Sequence, residues 1–129
     1  AGGTENAAGN EVSLVIRASV GDCAVLIMGD AESDTEERLL AQYAGTDTLS
    51  ADVLRVGHHG SDTSTTPALL DAVNPAFAVI SAGAGNSYGH PTGRVLSRLT
   101  GRGISVLRTD TEGTVILHTN GREFFRIPR

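Results

Sequence analysis

Lysine and tryptophan are absent from this 129-residue chain, cysteine and methionine occur once each, and the only aromatics are two tyrosines and three phenylalanines. A single cysteine excludes an intramolecular disulfide. Cys23 opens the apolar run that ends at Met28 and reads as a small buried hydrophobe. No stretch approaches the roughly 20 apolar residues that a membrane-spanning helix needs. No hydrophobic leader with a cleavage site precedes the first periodic segment. With no lysine, the ten basic residues are all arginine, and fifteen acidic residues outweigh them to a net charge of −5. That balance argues against a broad basic surface for nucleic acid, although a bound metal can supply positive charge locally. Arginine is the better fork for phosphate or carboxylate, yet the abundance of Ala and Gly makes a GC-rich coding sequence an equally good source of the bias.

The length fits one domain with a core of its own. Ala1 to Asn10 reads as a flexible polar lead-in, and residues 11–129 read as the domain. Alternation over Val12–Ala18, a turn at Gly21-Asp22 and the run Cys23–Met28 predict a hairpin. Its second strand delivers Gly29-Asp30. Leu39, Leu40 and Tyr43 at helical spacing predict a helix over Glu36–Tyr43, with Ser33 or Asp34 as N-cap, Glu36 and Glu37 in the first turn and Gly45 as the stop. Ala51–Val56 is the next predicted strand, and Thr66–Val73 the next helix, with proline in its first turn. The uniformly apolar run Phe77–Ser81 predicts a strand covered on both faces. It opens into a glycine-rich loop, Ala82–Pro91. A helix over Thr92–Thr100, a strand over Ile104–Arg108 and a hairpin of Thr114–Thr119 with Glu123–Ile127 around Asn120-Gly121 complete the chain.

The most informative stretch is Val53-Leu54-Arg55-Val56-Gly57-His58-His59-Gly60-Ser61, a strand running into a glycine-bracketed histidine pair. Asp30, His58, His59 and His90 all follow predicted strands, and parallel strands would bring them out on one edge. A carboxylate with imidazoles suits a borderline divalent ion such as zinc or manganese. Each residue also has an ordinary reading. Asp30 can be a turn carboxylate, His58 and His59 a hydrogen-bonded turn, and His90 a loop residue before Pro91; His118 reads as structural, and Arg55, Arg94 and Arg108 as solvated. Ser61, Ser64 and Thr65 could be nucleophiles beside a base, but no Gly-x-Ser-x-Gly elbow is present, and capping the helix near Pro67 is the better use for these hydroxyls. The glycine loop lacks the Gly-Lys-Ser/Thr of a P-loop.

Three segments taken in order resemble a known family. Gly29-Asp30-Ala31-Glu32, then Ala51 to Ser61, then Asn86-Ser87-Tyr88-Gly89-His90-Pro91 resemble the C-terminal metallo-β-lactamase-like domain of ComEC-type DNA-internalisation competence proteins. The resemblance runs from about Glu11 to Thr119. It implies an α/β fold of αββα sandwich type, here half or part of one, with a mixed sheet, flanking helices and a C-terminal hairpin. It further implies that Asp30 and His58 are metal ligands and that His59 and His90 stand near the reacting groups. Ser61, Tyr88 and His90 would then face substrate. The implied reaction is phosphodiester hydrolysis on DNA, with a divalent metal, zinc or manganese, in the complete domain.

The departure from the family pattern is large. The motif His-x-His-x-Asp-His that supplies most metal ligands in that superfamily is absent, and two candidate ligands do not close a catalytic zinc site, which takes three plus water. The expectation is a fragment with weak metal binding and little or no nuclease activity alone. Its partners by resemblance are DNA and the remainder of a membrane-anchored parent, on the extracytoplasmic face. Half a sandwich leaves apolar surface uncovered, so a homodimer through that face is also expected. Two alternatives stand beside this reading: a non-catalytic binding module that keeps the fold, and a different hydrolase of the same superfamily.

Overall fold

The computed structural model describes residues 14–82 and 91–127, apart from the side chains of His58 and His59. Five strands form one mixed sheet in sequence order: β1 (Ile16–Val20), β2 (Cys23–Ile27), β3 (Val53–Arg55), β4 (Phe77–Ile80) and β5 (Ser105–Arg108). β1 and β2 pair antiparallel across the Gly21-Asp22 turn, and β2 to β5 run parallel. Helices α1 (Ser33–Gln42), α2 (Pro67–Val73) and α3 (Gly93–Gly101) fill the crossovers. A short helical turn α4 (Thr109–Glu112) leads to a separate hairpin, β6 (Leu117–Thr119) with β7 (Phe124–Arg126). The predicted α/β class with a mixed sheet, flanking helices and a terminal hairpin holds; the lead-in and the loop carrying Tyr88 and His90 lie outside the described residues.

Register divides the sheet into two faces. Leu26, Leu54 and Ala78 are aligned neighbours, and with Met28, Val56 and Ile80 they form one side of the core. Against them lie Leu69, Leu70 and Val73 of α2 and Val95 and Leu99 of α3, all 2% exposed or less. Each such side chain contributes about 1.5–3 kcal/mol of transfer free energy, so this layer holds the sheet to its helices. On the opposite face Val25, Val53 and Phe77 align, as do Ile27, Arg55 and Val79. The hairpin partly covers them, leaving a groove of about 240 Å³ lined by Val25, Ile27, Val53, Arg55, Val79, Val115, Leu117 and Phe124. The β4 run is therefore fully buried only on its helix side, at Ala78 and Ile80, and half-buried at Phe77 and Val79.

Several local expectations need correction. Helix α1 begins three residues earlier than predicted, and neither Ser33 nor Asp34 caps it: Glu32 occupies the N-cap position without a side-chain bond. The Ser33 amide donates instead to the Thr63 carbonyl at 2.6 Å, so a neighbouring loop does the capping. None of the hydroxyls assigned to α2, those of Ser61, Ser64 and Thr65, caps it; the cap is Thr66, accepting from the Leu69 amide. Arg108 is not merely solvated. It forms a two-pronged pair with Asp110, at 3.0 and 2.7 Å, which lowers the Asp110 carboxyl and raises the guanidinium. The closing hairpin turn is longer than a two-residue loop. Thr119 pairs with Phe124, and Asn120 Oδ1 accepts from the amides of Arg122 and Glu123. Cys23 is buried and unpaired, as expected.

Candidate functional site

Parallel β2, β3 and β4 end on the same edge of the sheet, and each is followed by one of the motif segments. After β2 comes Gly29-Asp30-Ala31, with Asp30 exposed. After β3, Gly57–Gly60 coil into a single 3-10 turn that carries His58 and His59 in its middle. After β4 come Ser81 and Ala82, and the chain is described again from Pro91.

Two glycines let these segments touch. A Cβ on Gly57 would lie 2.7 Å from the Ala31 carbonyl, so the histidine turn rests directly on the Asp30 turn. Gly60 has φ +83°, and a Cβ there would lie 2.6 Å from the Pro91 Cβ. These glycines thus serve close approach of one backbone to another. The Thr92 amide donates to the Gly60 carbonyl at 3.0 Å, and the Thr92 hydroxyl donates to Asp62 at 2.5 Å. On the other flank Thr109 Oγ1 accepts from the Ala82 amide at 2.9 Å. Ala82 and Thr92 are thereby each tied by hydrogen bonds at the edge that bears Asp30 and the histidine turn. Tyr88 and His90 themselves fall outside the described residues.

The turn is anchored from beneath by polar groups in roles that the sequence patterns did not give them. Ser64 is fully buried, and its hydroxyl lies 2.8 Å from the Gly57 carbonyl and 3.1 Å from the Ser61 carbonyl, so one proton serves both ends of the turn. Glu36 is also fully buried. Its carboxylate accepts from the Thr65 amide at 2.6 Å, the Thr66 amide at 2.9 Å and the Thr66 hydroxyl at 2.8 Å. Burial pushes the Glu36 carboxyl above its ordinary value, opposed by these donors and by Arg98. Arg98 Nη1 reaches the carbonyls of Thr65 at 3.2 Å and Ser64 at 3.4 Å. Ser61 is buried, with its hydroxyl 2.9 Å from that of Thr63 and accepting from the Thr63 amide. His118 stands apart in the hairpin, edge-on to Phe125 with ring centres 6.3 Å apart.

A signal for Glu36 was present. Positions 36, 39, 40 and 43 follow the i, i+3, i+4, i+7 spacing of one helix face, so the carboxylate falls on the apolar stripe of α1. As to metal, no three His, Cys, Asp or Glu side chains come together among the described residues. Asp30 is the candidate donor whose position is described; the imidazoles of His58, His59 and His90 are outside that set.

The architecture defines an α/β protein with its candidate site at the carboxyl ends of parallel strands. No family model matches the chain. It is 43% identical over 106 residues to Competence protein ComA of Neisseria gonorrhoeae, covering 82% of this chain and 15% of that protein. It is 40% identical over 106 residues to ComE operon protein 3 of Bacillus subtilis, covering 82% of this chain and 13% of the relative. With Recombination protein 2 of Haemophilus influenzae it shares 41% identity over 108 residues, 84% of this chain and 13% of the relative. This chain belongs, as a segment, with the ComEC-type competence proteins. It spans less than a sixth of the length of the curated relatives that it matches.

Proposed function

We propose that this chain supplies one part of a metal-dependent phosphodiesterase site that acts on DNA within a ComEC-type competence protein. The observation that carries the reading is the convergence of three segments on one edge: Gly57 against Ala31, and Gly60 against Pro91. Asp30 and His58 would hold the ion, and His59, His90, Tyr88 and Ser61 would line the approach of a phosphodiester. A divalent ion bound there would polarise a phosphoryl oxygen and lower the pKa of water. The protein's own contribution is positional: rigid strand ends and the anchored turn fix where the donors stand. A sheet with helices on one face and apolar side chains on the other is what one half of an αββα sandwich requires. On this reading the missing ligands belong to a second half, and the site is completed in the parent at the extracytoplasmic face of a membrane. Among the described residues no helix is long and apolar enough to cross one.

Titration with Mn²⁺, followed by paramagnetic broadening of amide signals, tests the assignment. Weak binding that broadens residues around Asp30 and the histidine turn is expected, and Asp30→Ala and His58→Ala should each reduce the affinity at least tenfold. Affinity unchanged by both substitutions would remove this edge as a metal site. Incubation of the chain alone with linear DNA should give little or no cleavage, because the donor set is incomplete.

A further inference from the structure

Thr65 is a β-branched residue in the left-handed region, at φ +60°, and is 1% exposed. Such a backbone is costly and persists only where its surroundings over-determine it. Glu36 and Arg98 do so from opposite sides: the carboxylate takes the Thr65 amide, and the guanidinium donates to the Thr65 carbonyl. The Thr65 hydroxyl lies 3.2 Å from that of Ser64, which in turn spans the Gly57 and Ser61 carbonyls. A continuous run of buried hydrogen bonds therefore leads from the α1 carboxylate to both ends of the turn that carries His58 and His59.

We propose that Glu36 is a positioning residue for the histidine turn, acting through Thr65 and Ser64 to hold the Gly57–Ser61 backbone against the Asp30 turn. This rests on the metal-edge reading for its purpose, but its physical content is independent of it. A buried carboxylate is a costly way merely to join α1 to α2, since an apolar side chain of the same volume would fill the space without desolvating a charge. What an apolar residue cannot do is accept two adjacent backbone N–H groups from a loop held in the left-handed region. Glutamine cannot do so either. One face of its amide is a donor, which would confront the amide of Thr65 or Thr66.

Amide hydrogen exchange on the wild-type chain, Glu36→Gln and Ser64→Ala tests this. The reporters are the Ser64 amide, bonded to the Ser61 carbonyl, and the Thr92 amide, bonded to the Gly60 carbonyl. In both variants their protection should fall at least tenfold further than that of the amides in β2, β3 and β4. A uniform fall across reporters and sheet would show that Glu36 supports only global stability and would overturn the proposal. Ser64→Ala removes a single hydroxyl and keeps the test open if Glu36→Gln does not fold. A Mn²⁺ titration beside it separates the two claims. Weakening by Asp30→Ala and by Glu36→Gln, each at least tenfold, supports both. Weakening by Asp30→Ala alone overturns the positioning role and leaves the metal edge standing. Affinity indifferent to both Asp30→Ala and His58→Ala sinks the metal edge, and the exchange pattern then decides whether Glu36 holds the turn.

Discussion

Glu36 shows how far one residue's role depends on what folds over it. In the sequence it is an acidic residue in the first turn of a helix, where a carboxylate favours the macrodipole. In the fold it is sealed beneath the loop that follows the histidine turn and accepts three hydrogen bonds. Its carboxyl is raised above the ordinary value of 4.5 because desolvation outweighs the donors. The folded state therefore holds this proton more tightly than the unfolded chain does. The group's contribution to stability then increases as the pH falls from above the raised value toward 4.5 and is lost as the pH rises back through that value. A protonated glutamic acid still offers lone pairs on both oxygens, whereas the amide nitrogen of glutamine offers none. Urea denaturation of wild type and Glu36→Gln should show the variant less stable by about 1–3 kcal/mol at pH 7, with the gap widening toward pH 5. A gap that narrows would mean that the donors, rather than burial, set the carboxyl's titration.

Between elements, the legible part of this chain is the periodic part. β2, β3 and β4, the helix behind Pro67, the α3 stripe of Val95 and Leu99 and the Asn120-Gly121 turn all fall within a few residues of where spacing and turn chemistry put them, because these signals are local. The three motif segments could be ordered along the chain but not placed in contact, since Gly57 on Ala31 and Gly60 on Pro91 are meetings of backbones far apart in sequence. Loop-to-helix capping is invisible for the same reason: the group that satisfies the first amide of α1 is the Thr63 carbonyl, 30 positions downstream. Gly60→Ala probes such a meeting directly. The substitution combines a left-handed backbone with a Cβ 2.6 Å from Pro91, and should cost about 2–4 kcal/mol in denaturant unfolding. Gly93→Ala is the control, since nothing lies within 4 Å of its Cβ and the residue begins α3; it should change stability by less than about 1 kcal/mol. Equal costs at the two positions would show that the contact between the histidine turn and Pro91 contributes no stability.

At the scale of the molecule the sheet is finished on one face and unfinished on the other. The helix face is sealed by α2 and α3, while the hairpin covers only part of the opposite face and leaves the Arg55 guanidinium in the groove without a hydrogen-bond or ion-pair partner among the described residues. Beyond the groove the same face continues onto β1, where Ile16 aligns with Ile27 and Val20 with Cys23. Every residue of β1 is exposed, Ile16 at 43% and Val20 at 60%. An edge strand of this kind offers unpaired backbone groups together with apolar side chains, the combination that promotes pairing with a second strand. On the proposed reading a second layer of a longer protein would answer it; in the chain alone, another copy is the available partner. Size-exclusion chromatography with light scattering should therefore show mass rising with concentration from the monomer value of 13.3 kDa. Val20→Lys sets a charge on the open edge away from the helix-side core, and should return the chain to a monomer without loss of thermal stability. A wild-type chain that stays monomeric at millimolar concentration would mean that the β1 edge and its apolar face do not drive self-association.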